Sequence, residues 1–170
     1  MTVTNVRKDP EHLMFSITAE FDVPTERAWR LWADPRQLER WWGPPTYPAT
    51  FVEHDLTAGG TVTYYMTGPD GDQHYGWWRV LTVDAPNRLE FEDGFADDAG
   101  NPINDMPTTV AVVMIEVTES GGARMTITSR FPTLEAMEQM VEMGMEEGMT
   151  AAMGQIDDVL AADLKAGDTA

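Results

Sequence analysis

The apolar residues of this chain change period at Pro132. Before it they recur at every second position. In "ARMTITSRF", Met125, Ile127 and Phe131 alternate with Arg124, Thr126 and Arg130, the pattern of a strand with one buried and one wet face. After Pro132 they recur at helical spacing: Leu134, Met137, Val141 and Met145 share one face, and Met149, Ala152, Ile156 and Val159 continue it. Thr133 is placed to cap this run, with Glu135 in the first turn where the helix dipole favours an acid. The spacing predicts one helix from Thr133 to about Leu164, long for a globular domain. A sheet with one wet face must bury the other, and this helix is the only element large enough to cover it.

The rest of the chain fits that frame. "LMFSITAEFDV" (Leu13 to Val23) reads as a first strand. Pro24 suits a first helical turn, with Asp22 or Thr25 as cap, and Ala28, Leu31 and Trp32 give that helix a buried face. Asp34-Pro35 breaks it. A second short helix over "RQLERWW" ends at Gly43-Pro44-Pro45. From Tyr47 to Arg130 the chain reads as an antiparallel meander of six strands, with turn signals at Gly68-Pro69-Asp70-Gly71 and Ser120-Gly121-Gly122. The polar loop from Ala96 to Pro107 is long for a hairpin, and its Ile103 and Met106 are expected to fold over a cavity mouth as a mobile gate. The expectation is an α+β fold with about six or seven strands in one curved sheet, gripping the C-terminal helix and leaving space between them. Residues 1–12 read as an N-terminal extension, 13–164 as one domain and 165–170 as a frayed tail.

Composition narrows the function. Twenty-nine acidic against 11 basic residues give a net charge of −18, which repels phosphate backbones and anionic membrane surfaces. High acidity is also an ordinary solubility feature. No cysteine is present, so disulfides and zinc–thiolate sites are excluded. The N-terminal residues lack the apolar core of a signal peptide and no stretch approaches a membrane span, which makes the cytoplasm the expected location. No nucleophile elbow, P-loop or dinucleotide fingerprint occurs, and no cofactor is expected.

The segment "ERWWGPPTYPATFVEHDLTAGGTVTYYMTGPDGDQHYGWWRV", with "PNRLEF" and "EMGMEEGMTAAMGQIDDVLA", resembles the activator of Hsp90 ATPase homologue 1-like family of the START-like, or SRPBCC, superfamily. The resemblance runs from about Phe15 to Leu164. It implies a helix-grip fold: a curved antiparallel sheet wrapped around a long C-terminal helix, with an internal cavity. Superfamily members bind lipids, sterols, polyketides or hormones, and some catalyse cyclisation or hydrolysis, so fold alone does not carry function. At 170 residues the chain is too short for the separate chaperone-binding domain of the eukaryotic co-chaperone.

The candidate cavity wall consists of Trp41, Trp42, Tyr64, Trp78 and Phe91, joined by Met137, Met145 and Met149 from the last helix. Aromatic rings and methionines are also ordinary core, and a cavity wall is core as well. Adjacent residues point in different directions, so Trp41 and Trp42 are expected to divide between packing and the cavity entrance. Gly144 and Gly148 cost about 1 kcal/mol each in a helix interior. Either a sheet residue packs close to them or cavity volume is kept free. Met143 lies opposite Leu134 and is expected exposed or covered by a second subunit, which leaves a homodimer open. His74, Arg79, Asp93 and Glu116 are the candidate polar anchors. Glu53, His54 and Asp55 alternate faces on a strand and do not converge on a metal. Three readings follow: a binder of an apolar or aromatic small molecule, an enzyme of the polyketide cyclase or hydrolase type, and a co-chaperone-like protein-interaction module. A buried carboxylate or histidine facing another polar group inside the cavity would favour the enzyme, an apolar cavity with one polar anchor the binder, and a collapsed cavity with an apolar outer patch the interaction module.

Overall fold

Alternation along the strands sets which side of the sheet is dry. In β2 (Met14–Phe21) Phe15, Ile17, Ala19 and Phe21 are all buried, and in β8 (Ala123–Arg130) so are Met125 and Ile127. The computed structural model describes the chain from residue 2 to residue 165. Eight strands form one antiparallel sheet, open rather than closed into a barrel, in the order β1-β2-β8-β7-β6-β5-β4-β3. The remaining strands are β1 (Thr2–Asp9), β3 (Ala49–His54), β4 (Thr61–Thr67), β5 (Gln73–Asp84), β6 (Arg88–Ala96) and β7 (Thr109–Val117). Register shifts between Phe51 and Glu53 and between Val80 and Thr82 mark bulges, which bend strands and help the sheet curve.

Between β2 and β3 the chain crosses from one side of the sheet to its far edge through α1 (Thr25–Ala33) and α2 (Pro35–Leu38). Ala28, Leu31 and Trp32 of α1 face the core as their spacing predicts. The second helix is shorter than expected. It ends at Leu38, and Trp41 and Trp42 follow in turns whose amides both bond to the Leu38 carbonyl. Among the described residues no helix is long and apolar enough to cross a membrane.

Three expectations need correction. Residues 1–12, set apart above as an extension, contain β1, which pairs along β2 and makes the eighth strand. Its side chains are mostly exposed, so it carries no hydrophobic alternation to be read. The single C-terminal helix is three: α3 (Leu134–Glu142), α4 (Met145–Met153) and α5 (Ile156–Lys165). Thr133 caps the first as expected, its hydroxyl accepting from the Ala136 amide at 3.0 Å. Gly144 then takes φ +88°, a left-handed conformation that ends α3 and starts α4. A turn at Gly154 and Gln155 separates α4 from α5. The apolar periodicity runs across both breaks because all three segments dock: Met137, Met153, Ile156 and Val159 are buried in the core. Leu134, assigned to the inner face, is instead 47% exposed at the start of α3. The expected frayed tail from 165 falls almost wholly outside the described residues.

Candidate ligand cavity

The short helix α2 delivers two tryptophans to the space between sheet and C-terminal helices. Trp41 is 1% exposed and its indole N–H donates to the Leu31 carbonyl at 3.0 Å. Trp42 is half-buried. Both line a cavity of about 300 Å³. Gln155, in the turn between α4 and α5, donates to the Gly43 carbonyl at 2.6 Å and ties the Trp-Trp-Gly segment to the helices. Sequence reasoning missed this clamp, because nothing in a lone glutamine announces a contact 112 residues away.

Behind Trp42 the rings form a continuous wall. Trp42 meets Trp78 edge-on with ring centres 4.9 Å apart, and Trp78 stacks on Phe91 at 4.0 Å. Trp32 of α1 joins Trp41 at 4.9 Å. Trp78 and Phe91 are fully buried and do not reach the cavity, and Met137 is likewise core. Of the eight expected wall residues, Trp41, Trp42, Tyr64, Met145 and Met149 line it. Met140, Met143 and Met153 line it too, and Met143 is also 54% exposed. Gly148 opens directly onto this space, since a Cβ there would have nothing within 4 Å. Its missing side chain keeps volume free, whereas Gly144 is needed for its left-handed backbone.

One wall is polar. Tyr64 on β4 reaches across β5 to Asp93 on β6, where its hydroxyl donates to Oδ1 at 3.2 Å. The reach is possible because Gly76 lies between them: a Cβ on Gly76 would sit 2.4 Å from the Tyr64 ring carbon that carries the hydroxyl. Burial raises Asp93 from the ordinary carboxylate value to about 7, although the Tyr64 hydroxyl and the Gly94 amide both favour its anion. Burial, followed by the Asp93 charge, pushes Tyr64 well above 10. The indole N–H groups of Trp42 and Trp78 are buried without a hydrogen-bond partner. Thr109, opposite Asp93 in the β6–β7 register, and Ser129 on β8 extend the polar strip along the cavity.

Asp93 is the one expected anchor that lies in the cavity. His74 is exposed and pairs with Asp72 at 2.6 Å. Arg79 and Glu116 are exposed on the opposite side of their strands from the buried Trp78 and Ile115. His54 bonds to the Trp32 carbonyl at 2.9 Å. Of the loop from Ala96 to Pro107, Pro107 lines the cavity, while Ile103 and Met106 do not. That loop is tied by an Ala96–Pro102 bridge and by the Asp97 carboxylate, which accepts from the amides of Ala99 and Asn101.

The model of the family described as "Activator of Hsp90 ATPase homolog 1-like protein" matches residues 22–161. A solution structure of a protein from Arthrobacter aurescens is 56% identical, with 95% of this chain and 93% of that chain covered and a TM-score of 0.90. A crystal structure of a Mycobacterium smegmatis protein is 46% identical over 94% of this chain and 97% of that one, with a TM-score of 0.86. A Staphylococcus epidermidis protein is 28% identical over 96% and 95%, with a TM-score of 0.80. A comparison with curated proteins finds no match.

Proposed function

The chain belongs to the activator of Hsp90 ATPase homolog 1-like family, and from that premise we propose that it binds an apolar or aromatic small molecule between its sheet and its C-terminal helices. Folds of this START-like type commonly bind hydrophobic ligands. The observation that carries the reading is the cavity itself: about 300 Å³, walled by indole rings and methionines, with its polar groups gathered in one strip. Its volume lies at the lower end of the range for small-molecule sites. Burying apolar ligand surface there is worth about 25 cal/mol per Å². Methionine adapts its shape to different ligands at little cost. Native mass spectrometry of protein taken from its own organism tests this, together with titration by the neutral dye Nile red. A retained mass or saturable dye binding is the expected result. Neither one appearing would overturn the proposal.

The Tyr64–Asp93 pair favours a second reading, an enzyme of the cyclase or hydrolase type. A carboxyl group near 7 can hold or release a proton at neutral pH, and this one is hydrogen-bonded inside a ligand-sized space. A ligand converted to a new mass by substoichiometric protein, but not by the Asp93→Asn variant, would establish catalysis. A ligand recovered unchanged would leave binding alone. A collapsed cavity would favour the interaction module, and this cavity is open.

A further inference from the structure

We propose that the cavity selects an organic cation: a protonated amine on an aromatic skeleton, with the ammonium group at Asp93 and the skeleton against Trp41, Trp42 and Tyr64. This rests on the binding reading above and adds the charge of the ligand. Among the described residues that line the cavity, only Asp93 and Tyr64 are ionisable, and no lysine, arginine or histidine is among them. An apolar acid would bring its carboxylate beside Asp93 with no cation in the wall to offset either charge, and an unpaired buried charge is expensive. An ammonium group meets the opposite situation.

The geometry supplies what an ammonium needs. The Tyr64 hydroxyl and the Gly94 amide occupy two acceptor positions on Asp93, while a carboxylate offers about four. Thr109 lies directly across the strand pair from Asp93, so its hydroxyl oxygen stands near for a remaining N–H group. The indole rings of Trp41 and Trp42 line the same cavity, and indole π faces attract cations. The chain's net charge of −18 concentrates cations around the protein and depletes anions.

The same pair sets the pH response. Burial holds the Asp93 proton up to about 7, and a bound cation reverses that by favouring the anion. Tyr64 is the titratable group in contact with Asp93, and its phenol stays protonated throughout this range. Thr109 and Trp78, the register neighbours of Asp93 on either side, do not titrate. Amine affinity therefore rises with pH until Asp93 is ionised near 7, then levels until the amine itself loses its proton.

Isothermal titration of the whole chain with 2-(2-naphthyl)ethylamine, the matching alcohol and 2-naphthylacetate, at pH 5 to 8, tests the proposal. At pH 8 the amine is expected to bind at least about tenfold more tightly than the alcohol, and the acid more weakly than both. Asp93→Asn is expected to remove the amine's advantage, and Tyr64→Phe provides a second variant that keeps the charge. An alcohol that binds as well as the amine, a preferred acid, or an amine preference that survives Asp93→Asn overturns the cation proposal and leaves the binding reading standing. If none of the three binds while Nile red does, the cation proposal alone falls. If Nile red also fails, the binding reading falls with it.

Discussion

Tyr64 and Asp93 meet over the backbone of a strand that belongs to neither of them. Tyr64 is on β4, Asp93 on β6, and the 3.2 Å hydrogen bond between them passes above Gly76 of β5. A glycine in a strand interior ordinarily weakens the strand. Here it makes room for a phenol and so creates the polar end of an otherwise apolar cavity.

Gly76→Ala is accordingly expected to evict the Tyr64 ring. The new methyl group would stand 2.4 Å from a ring carbon, so the phenol must move and Asp93 loses its donor. Overpacking of this kind costs about 1–3 kcal/mol. Urea melting reads the stability loss, and the Asp93 titration followed by NMR should shift upward as the bond that favours its anion disappears. An unchanged Asp93 titration would show that the bond does not bear on the carboxyl.

The stability of the protein should carry the signature of Asp93. Its folded-state value is raised from 3.8 to about 7, so between those pH values the folded chain holds a proton that the unfolded chain has released. Stability contributed by the protonated form is therefore complete below about 4 and declines as pH rises towards 7. Asp93→Asn removes that decline. The melting temperature of the variant relative to the parent should climb from pH 4 to pH 7 and then stay level, and a flat difference across that range would contradict the assignment.

The adjacent tryptophans should separate on mutation. Trp41 is fully buried, with its N–H bonded to Leu31, so Trp41→Ala should cost about 3–5 kcal/mol. Trp42 is half-buried, with its N–H unpartnered, and faces the cavity. Trp42→Ala should cost less stability and should lose more of the ligand-dependent fluorescence quenching. Denaturant melting beside Nile red titration distinguishes the two. Equal destabilisation would reduce the segment to plain core.

Gly148 provides a gain-of-stability test. A Cβ at this position meets open space, so Gly148→Ala should stabilise α4 by about 1 kcal/mol through helix propensity. Gly148→Leu projects further into the cavity and should weaken dye binding at least severalfold without unfolding the protein. Undiminished dye binding by the leucine variant would place the ligand elsewhere.

Local rules made part of this molecule legible from its residues alone. Thr133 caps a helix because a hydroxyl beside free amides does so in any context. Strand alternation and the Gly71 and Gly121 turns, both left-handed, specify the meander. The parity of Leu89 and Phe91 even puts Asp93 on the buried face, whereas Glu116 has the parity of the wet one. That parity is obscured around β5, where Val80 and Val83 suggest opposite faces and a bulge lies between them. Other features needed the folded chain. The strand β1 exists through backbone pairing with β2, which leaves no side-chain pattern. The break at Gly144 depends on one left-handed φ, to which apolar periodicity is blind. The meeting of Tyr64 with Asp93, and of Gln155 with Gly43, depends on register and on elements far apart in sequence. Alternation says which face a side chain takes; only the packed sheet and helices decide what it finds there.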